Sequence, residues 1–217
     1  MTEDEKQRTW EMYLSLGEGE RHFNSLESKY RTLASTWLLA MFVGIGFIFT
    51  RPEVSSQFDP YLVSAAAGIV ACVGLLLLWN IDIRVCHQLL DAHFVQALVL
   101  ERDHDWLPPI RTKMVFSQYV DPEHVRPDGG VMRRIKMFYV GMVGAPSLVA
   151  SVSLVSHIAS TSDNLCLLVG ISVIAFLAAC IAPVYVWKNS KSPLLGGYIS
   201  THKASAIARL KAELHAD

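Results

Sequence analysis

The chain has 217 residues, 52% of them hydrophobic, with 19 basic and 20 acidic side chains. A balance this even excludes a strongly basic nucleic-acid-binding module, and no nucleic-acid partner is expected. The mean hydropathy of +0.31 is high for a soluble domain and makes the lipid bilayer the first expected partner.

From the N-terminus, residues 1–31 read as a charged helix with Thr2 or Asp4 as its cap and a weak interruption at Gly17/Gly19. This charged opening predicts no cleavable leader. Apolar residues then recur every three or four positions, at Phe23, Leu26, Tyr30, Leu33 and Trp37, and carry one stripe into the first apolar stretch. Four stretches, Leu33–Phe49, Tyr61–Trp79, Met137–Ile158 and Leu165–Trp187, contain no Lys, Arg, Asp or Glu. Each has, or nearly has, the ~20 residues needed to cross a hydrocarbon core. Five basic residues precede the first stretch, eight lie between the second and third, and five follow the fourth. The connections at 50–60 and 159–164 hold Arg51 and no basic residue, respectively. This bias predicts that both termini and the middle region are cytoplasmic. Trp37, Trp79, Phe138, Tyr139, Tyr185 and Trp187, near the same ends of the spans, agree with that orientation.

The second stretch continues without Gly or Pro, and a helix from Tyr61 to Glu101 would extend about 60 Å, twice the membrane core. Pro108 and Pro109 end it. A short helix at 111–119 and a loop at 120–130 follow, and Arg133, Arg134 and Lys136 anchor the third span. That span carries the small-residue pairs Gly141/Ala145 and Ser147/Ser151, and the second carries Ser64/Gly68 and Ala67/Ala71, spacings that allow close helix approach in lipid. Residues 189–197 read as a turn and 198–214 as an amphipathic helix with Ile199, Ala206, Leu210 and Leu214 on one side.

The predicted fold class is therefore all-α: a polytopic membrane protein with four transmembrane helices and helical cytoplasmic extensions. Its regions are an N-terminal cytoplasmic helix (1–31), transmembrane helices 1 and 2 (32–80), a cytoplasmic helical region (81–136), transmembrane helices 3 and 4 (137–187) and a C-terminal cytoplasmic helix (188–217). Cys72, Cys166 and Cys180 fall in spans and Cys86 just on the cytoplasmic side, so no structural disulfide is expected.

Chemistry-bearing residues gather after the second span, at Asp82, Cys86, His87, Asp91, His93 and His104. Asp82/Cys86 and His87/Asp91 are i,i+4 pairs, and His87, Asp91 and His93 are the candidate metal ligands. The two pairs are turned about 100° from each other, so one site would receive two ligands where a closed zinc site takes four. No metal or other cofactor is expected. The competing reading has Asp82 pairing with Arg84, or with Arg133 or Arg134, at the membrane boundary. An Arg209/His215 spacing resembles one nuclease motif but stands at the end of the chain. The sequence has no nucleophile elbow, phosphate-binding Gly loop or HExxH motif, so no catalytic residue is assigned and a non-enzymatic role is favoured. Gly144, Ser147 and Ser151 are candidate pore-lining residues, with His157 near the outer mouth, although small polar residues also serve helix packing. Asp82, Leu89, Phe94, Gly141 and Ala145 are the candidate oligomer contacts.

The segments STWLLAMFVGIGFIF, LLLLWNIDIRVCHQLLDAHFVQALVLE, HDWLPPIRTKM and RRIKMFYVG carry a pattern. It comprises a Trp-Asn-x-Asp helix exit, a Leu-Leu-Asp helix, a Trp-Leu-Pro-Pro break and a basic re-entry. From Tyr30 to about Gly141 the chain resembles the RipA-like octameric membrane proteins of bacteria. The resemblance implies a homo-oligomeric ring in the bacterial inner membrane, with cytoplasmic helices making much of the assembly. It implies no active-site residue. The expected function is a ring-like scaffold or regulated pore. The alternatives are a membrane anchor whose cytoplasmic helices dock a soluble protein, and a membrane enzyme or metal protein built on His87, Asp91 and His93.

Overall fold

The computed structural model describes residues 1–51, 58–119, 130–162, 164–191 and 193–202, and every regular element among them is helical. These are α1 (Glu3–Thr50), α2 (Pro60–Ile81), one π-helical turn (Asp82–Cys86), α3 (His87–Asp103), α4 (Ile110–Tyr119), α5 (Gly130–Thr161) and α6 (Leu165–Asn189). A final helix, α7, covers 193–202. Four runs are long and apolar enough to cross a membrane: α1, the α2–π–α3 run, α5 and α6.

The helix starts follow local chemistry. Thr2 and Glu5 form a reciprocal capping box, with Glu5 N–H donating to Thr2 Oγ1 at 3.3 Å and Thr2 N–H to Glu5 Oε2 at 2.7 Å. Asp59 Oδ1 accepts from the N–H groups of Tyr61 and Leu62, with Pro60 in the first turn. Asn164 caps α6 in the same way through Cys166 and Leu167. Pro146 and Pro183 lie inside α5 and α6, positions tolerated in apolar helices whose neighbours satisfy the freed carbonyls.

Four expectations are corrected. Gly17 and Gly19 do not interrupt α1; they admit neighbours. A Cβ on Gly19 would lie 2.6 Å from the His93 ring, and one on Gly17 would lie 3.0 Å from Arg111 Nη2. The run after the second stretch stays helical but widens into the π turn, a feature often found at functional positions. Residues 193–197, expected in a turn, instead open α7 with Pro193 at its first position. Of the loop expected at 120–130, Gly130 instead opens α5, and residues 120–129, like Ala206, Arg209, Leu210, Leu214 and His215, lie outside the described residues.

The chain forms two compact units. One comprises Met1–Glu27, Ile83–Arg134 and Lys191–Asp217. Within it, Tyr13, Leu16, Ala97 and Leu107 form one apolar cluster, with Trp10 and Leu100 against it. Leu98, Val115, Leu195 and Ile199 form a second, with Phe94, Val95 and Tyr198.

The other unit comprises Ser28–Asp82 and Ile135–Ser190 and contains all four uncharged stretches. Here α2 and α5 meet closely at Gly68, where a Cβ would come within 2.8 Å of the Pro146 carbonyl oxygen. Trp79 is buried and its Nε1–H donates to Ser190 Oγ at 2.9 Å. In the part of α1 that belongs to this unit the buried positions are Ala34 and Met41, whereas Leu33 and Trp37 are 49% and 43% exposed. The Trp37 ring nevertheless lies against α2, where a Cβ on Gly74 would come within 2.9 Å of it.

Candidate functional site

In the apolar unit Asp82 is fully buried, just past the end of the second uncharged stretch. Its Oδ2 accepts from Arg31 Nε at 3.1 Å and from the Tyr139 hydroxyl at 2.8 Å. One carboxylate therefore ties α1 and α5 to the end of α2. Arg31, on the first helix, supplies a cation to this carboxylate, and Arg84, Arg133 and Arg134 are exposed. The signal was present in the sequence. Arg31 is the last charged residue before the first stretch, and Asp82 is the first after the second. Two antiparallel spans place such residues at one depth. A carboxylate at this depth needs such a partner, because desolvation without one costs several kcal/mol.

The other unit has two acid-centred arrangements. Glu101 is buried and reaches from α3 to the start of α4. Its Oε1 accepts from Arg111 N–H at 2.9 Å and its Oε2 from Thr112 N–H at 2.8 Å. A side chain from one helix thereby caps another, satisfying amide groups that the helix itself leaves unbonded. Thr112 Oγ1 also donates to Glu101 Oε2, and the Tyr13 hydroxyl donates to Oε1, each at 2.8 Å. Burial, that hydrogen bond and the negative charge of Glu101 push the Tyr13 phenol from 10.0 up to about 12, against the opposing pull of Arg111. Arg111 lies over the Tyr13 ring at 4.3 Å, and its Nε is 3.1 Å from Glu20 Oε1. Sequence spacing carries no sign of this network, in which the bonded pair Tyr13 and Glu101 lie 88 positions apart.

His87 is the second centre. Its Nδ1 is 2.8 Å from Glu27 Oε1 and its Nε2 is 3.9 Å from Asp91 Oδ1, all three side chains being buried. The structure thus brings two of the proposed ligands together. His93 is engaged elsewhere: its ring lies 5.3 Å from that of Phe23, and its Nδ1 is 2.8 Å from the Leu89 carbonyl oxygen. Cys86 is buried, and His104 lies beside Trp106. Among the described residues, no three His, Cys, Asp or Glu side chains are arranged to hold a metal.

The candidate pore residues line a feature within the apolar unit. Ser147 and Ser151 border a crevice of about 280 Å³ between α2, α5 and α6, walled mainly by alanines and by Cys72. Ser147 Oγ donates to the Val143 carbonyl and lies 3.2 Å from Cys72 Sγ, while Ser151 Oγ donates to the Ala175 carbonyl. These hydroxyls tie helices of one chain together. A Cβ on Gly144 would lie 3.6 Å from the Pro183 ring. Of the candidate oligomer contacts, Leu89 is 43% exposed, and a Cβ on Gly141 would meet nothing within 4 Å. Ala145 is partly buried. Phe94 and Asp82 are engaged inside the chain. No family model, curated protein or solved structure matches this chain.

Proposed function

We propose that this chain is a multi-pass inner-membrane protein that acts without catalysis, as a homo-oligomeric scaffold of the RipA-like, ring-forming kind. Both termini lie in the cytoplasm in this reading, as the distribution of basic residues requires. The observation that supports it most lies outside the four uncharged stretches. Met12, Leu14, Val85, Leu89, Trp106, Ile110 and Met114 are 43–52% exposed there. Val85/Leu89 and Ile110/Met114 are i,i+4 pairs that each put two large apolar groups on one helix face. Water is a poor medium for such faces, and they suit contact with a second copy. The carboxylates of Asp82 and Glu101 support a structural role, since each joins helices. The hydroxyls of Ser147 and Ser151 favour the scaffold form over the pore form, since both donate to backbone carbonyls.

The test is to charge the exposed faces. Leu89→Glu and the pair Ile110→Glu/Met114→Glu should lower the native mass of the detergent-solubilised particle while helix content stays constant. An unchanged mass in both variants would overturn the assignment of these faces to self-association. The same faces would serve the second reading, a membrane anchor for a soluble cytoplasmic protein. A monomeric wild-type protein, with a co-purifying partner lost from these variants, would favour that reading.

A further inference from the structure

On the side where α2 begins and α5 ends, a polar Asp59–His157 pair lies beyond the crevice between α2, α5 and α6, and together they have the chemistry of a lipid site. Its lining is apolar apart from Cys72, Ser147 and Ser151. The two serine hydroxyls already donate to carbonyl oxygens of Val143 and Ala175. An occupant therefore gains contacts with methyl and methylene groups and no hydrogen bond from these serines. Its borders include Ile69, Val73 and Leu154, each 40–58% exposed. These residues lie within the uncharged stretches, where the surrounding medium is hydrocarbon if the chain spans the membrane as proposed above.

On α5, Ala150 and Leu154 line the crevice, and His157 follows on the same helical stripe one turn beyond Leu154. His157 Nδ1 is 2.6 Å from Asp59 Oδ2, and both side chains are about one-third exposed. Asp59 also caps α2 through Oδ1. Its hydrogen bonds from the Leu62 N–H, His157 and the Tyr61 N–H outweigh the opposing effect of burial and hold its carboxyl below the usual 3.8. With Nδ1–H directed to that carboxylate, Nε2 is the ring's other polar atom, and in the protonated ring it is a donor. An apolar slot followed on the same helix by a partly exposed imidazole matches an acyl chain ending in a phosphate.

We propose that this crevice binds one phospholipid, with an acyl chain along the alanine-lined wall and the lipid phosphate at His157 Nε2–H. The inference rests on the membrane reading given above. Its test uses the full chain in nanodiscs containing a phospholipid with a photoreactive group in mid-chain, followed by peptide mapping of the adducts. A site predicts adducts on segments 65–73 and 147–154 that saturate as the probe fraction rises. Adducts on the outward residues Ile174, Phe176 and Ile181 should rise in proportion to probe throughout. Ala178→Phe, which fills the slot, should remove the saturable adducts and leave the proportional ones.

His157→Gln should weaken saturable labelling by the phospholipid, while labelling by a diacylglycerol carrying the same photoreactive chain stays as it was. Crevice labelling that is strictly proportional to probe in the wild-type protein would overturn the site. Equal saturation by phospholipid and diacylglycerol would overturn the phosphate contact. A chain recovered in the soluble fraction of cells would instead overturn the membrane reading, so the two failures are distinguishable.

Discussion

Asp82 and Tyr13 show how single buried groups organise this chain. With its carboxylate fully buried against Arg31 and Tyr139, Asp82 is costly to leave without its cation. Arg31→Met is expected to destabilise the protein by about 3–5 kcal/mol in chemical unfolding in detergent. Tyr139→Phe, which removes one hydroxyl and keeps the ring, should cost about 1–3 kcal/mol. The double variant Arg31→Met/Asp82→Leu should recover most of the loss, because it removes both charges together. Equal stability of Arg31→Met and wild type would show that Asp82 does not depend on Arg31. Tyr13 gives a pH signature. Its folded-state value is raised from 10.0 to about 12, so folding favours the neutral phenol. That contribution is fully present below pH 10 and is lost as pH rises towards 12. Thermal unfolding of wild type should therefore lose stability across this window, over and above any loss in Tyr13→Phe. Parallel profiles for the two proteins would contradict the assignment.

Among the helices, glycines separate close approach from open surface. Gly19→Ala would drive a methyl group into the His93 ring and Gly68→Ala would drive one into the Pro146 carbonyl. Each should destabilise the chain by about 1–3 kcal/mol. Gly141→Ala meets no neighbour in the chain and should be neutral, or stabilising by up to about 1 kcal/mol through helix propensity. Unfolding measurements on the three variants check this order, and a loss at Gly141 equal to that at Gly68 would contradict it.

The same positions show what could be read before folding. Four long apolar helices were legible because an uncharged apolar run of about 20 residues matches the thickness of a hydrocarbon core and exceeds the needs of most soluble helices. The break at Pro108–Pro109 was legible from proline stereochemistry. Gly17 and Gly19 misled because a glycine in a helix marks either a weak point or a close neighbour, and only packing distinguishes them. The stripe through Leu33 and Trp37 was legible as apolar, and Trp37 packs on α2, where a Cβ on Gly74 would lie 2.9 Å from its ring. The π turn has no local spelling. Of the polar residues, His87 and Asp91 were found through i,i+4 spacing. Arg31 and Asp82 are the charges that flank the first two stretches, whereas Glu27 and the Glu101 network come together only through folding.

On the proposed reading, the molecule as a whole works as an assembly. Large apolar side chains outside the uncharged stretches remain exposed on the single chain, and a second copy would cover them. Self-association in the membrane therefore stands or falls on the native mass of the purified protein in mild detergent and in nanodiscs. One closed species of several 24.1 kDa chains is expected, with a mass that does not change on moderate dilution. A particle containing a single chain, in both environments, would contradict self-association.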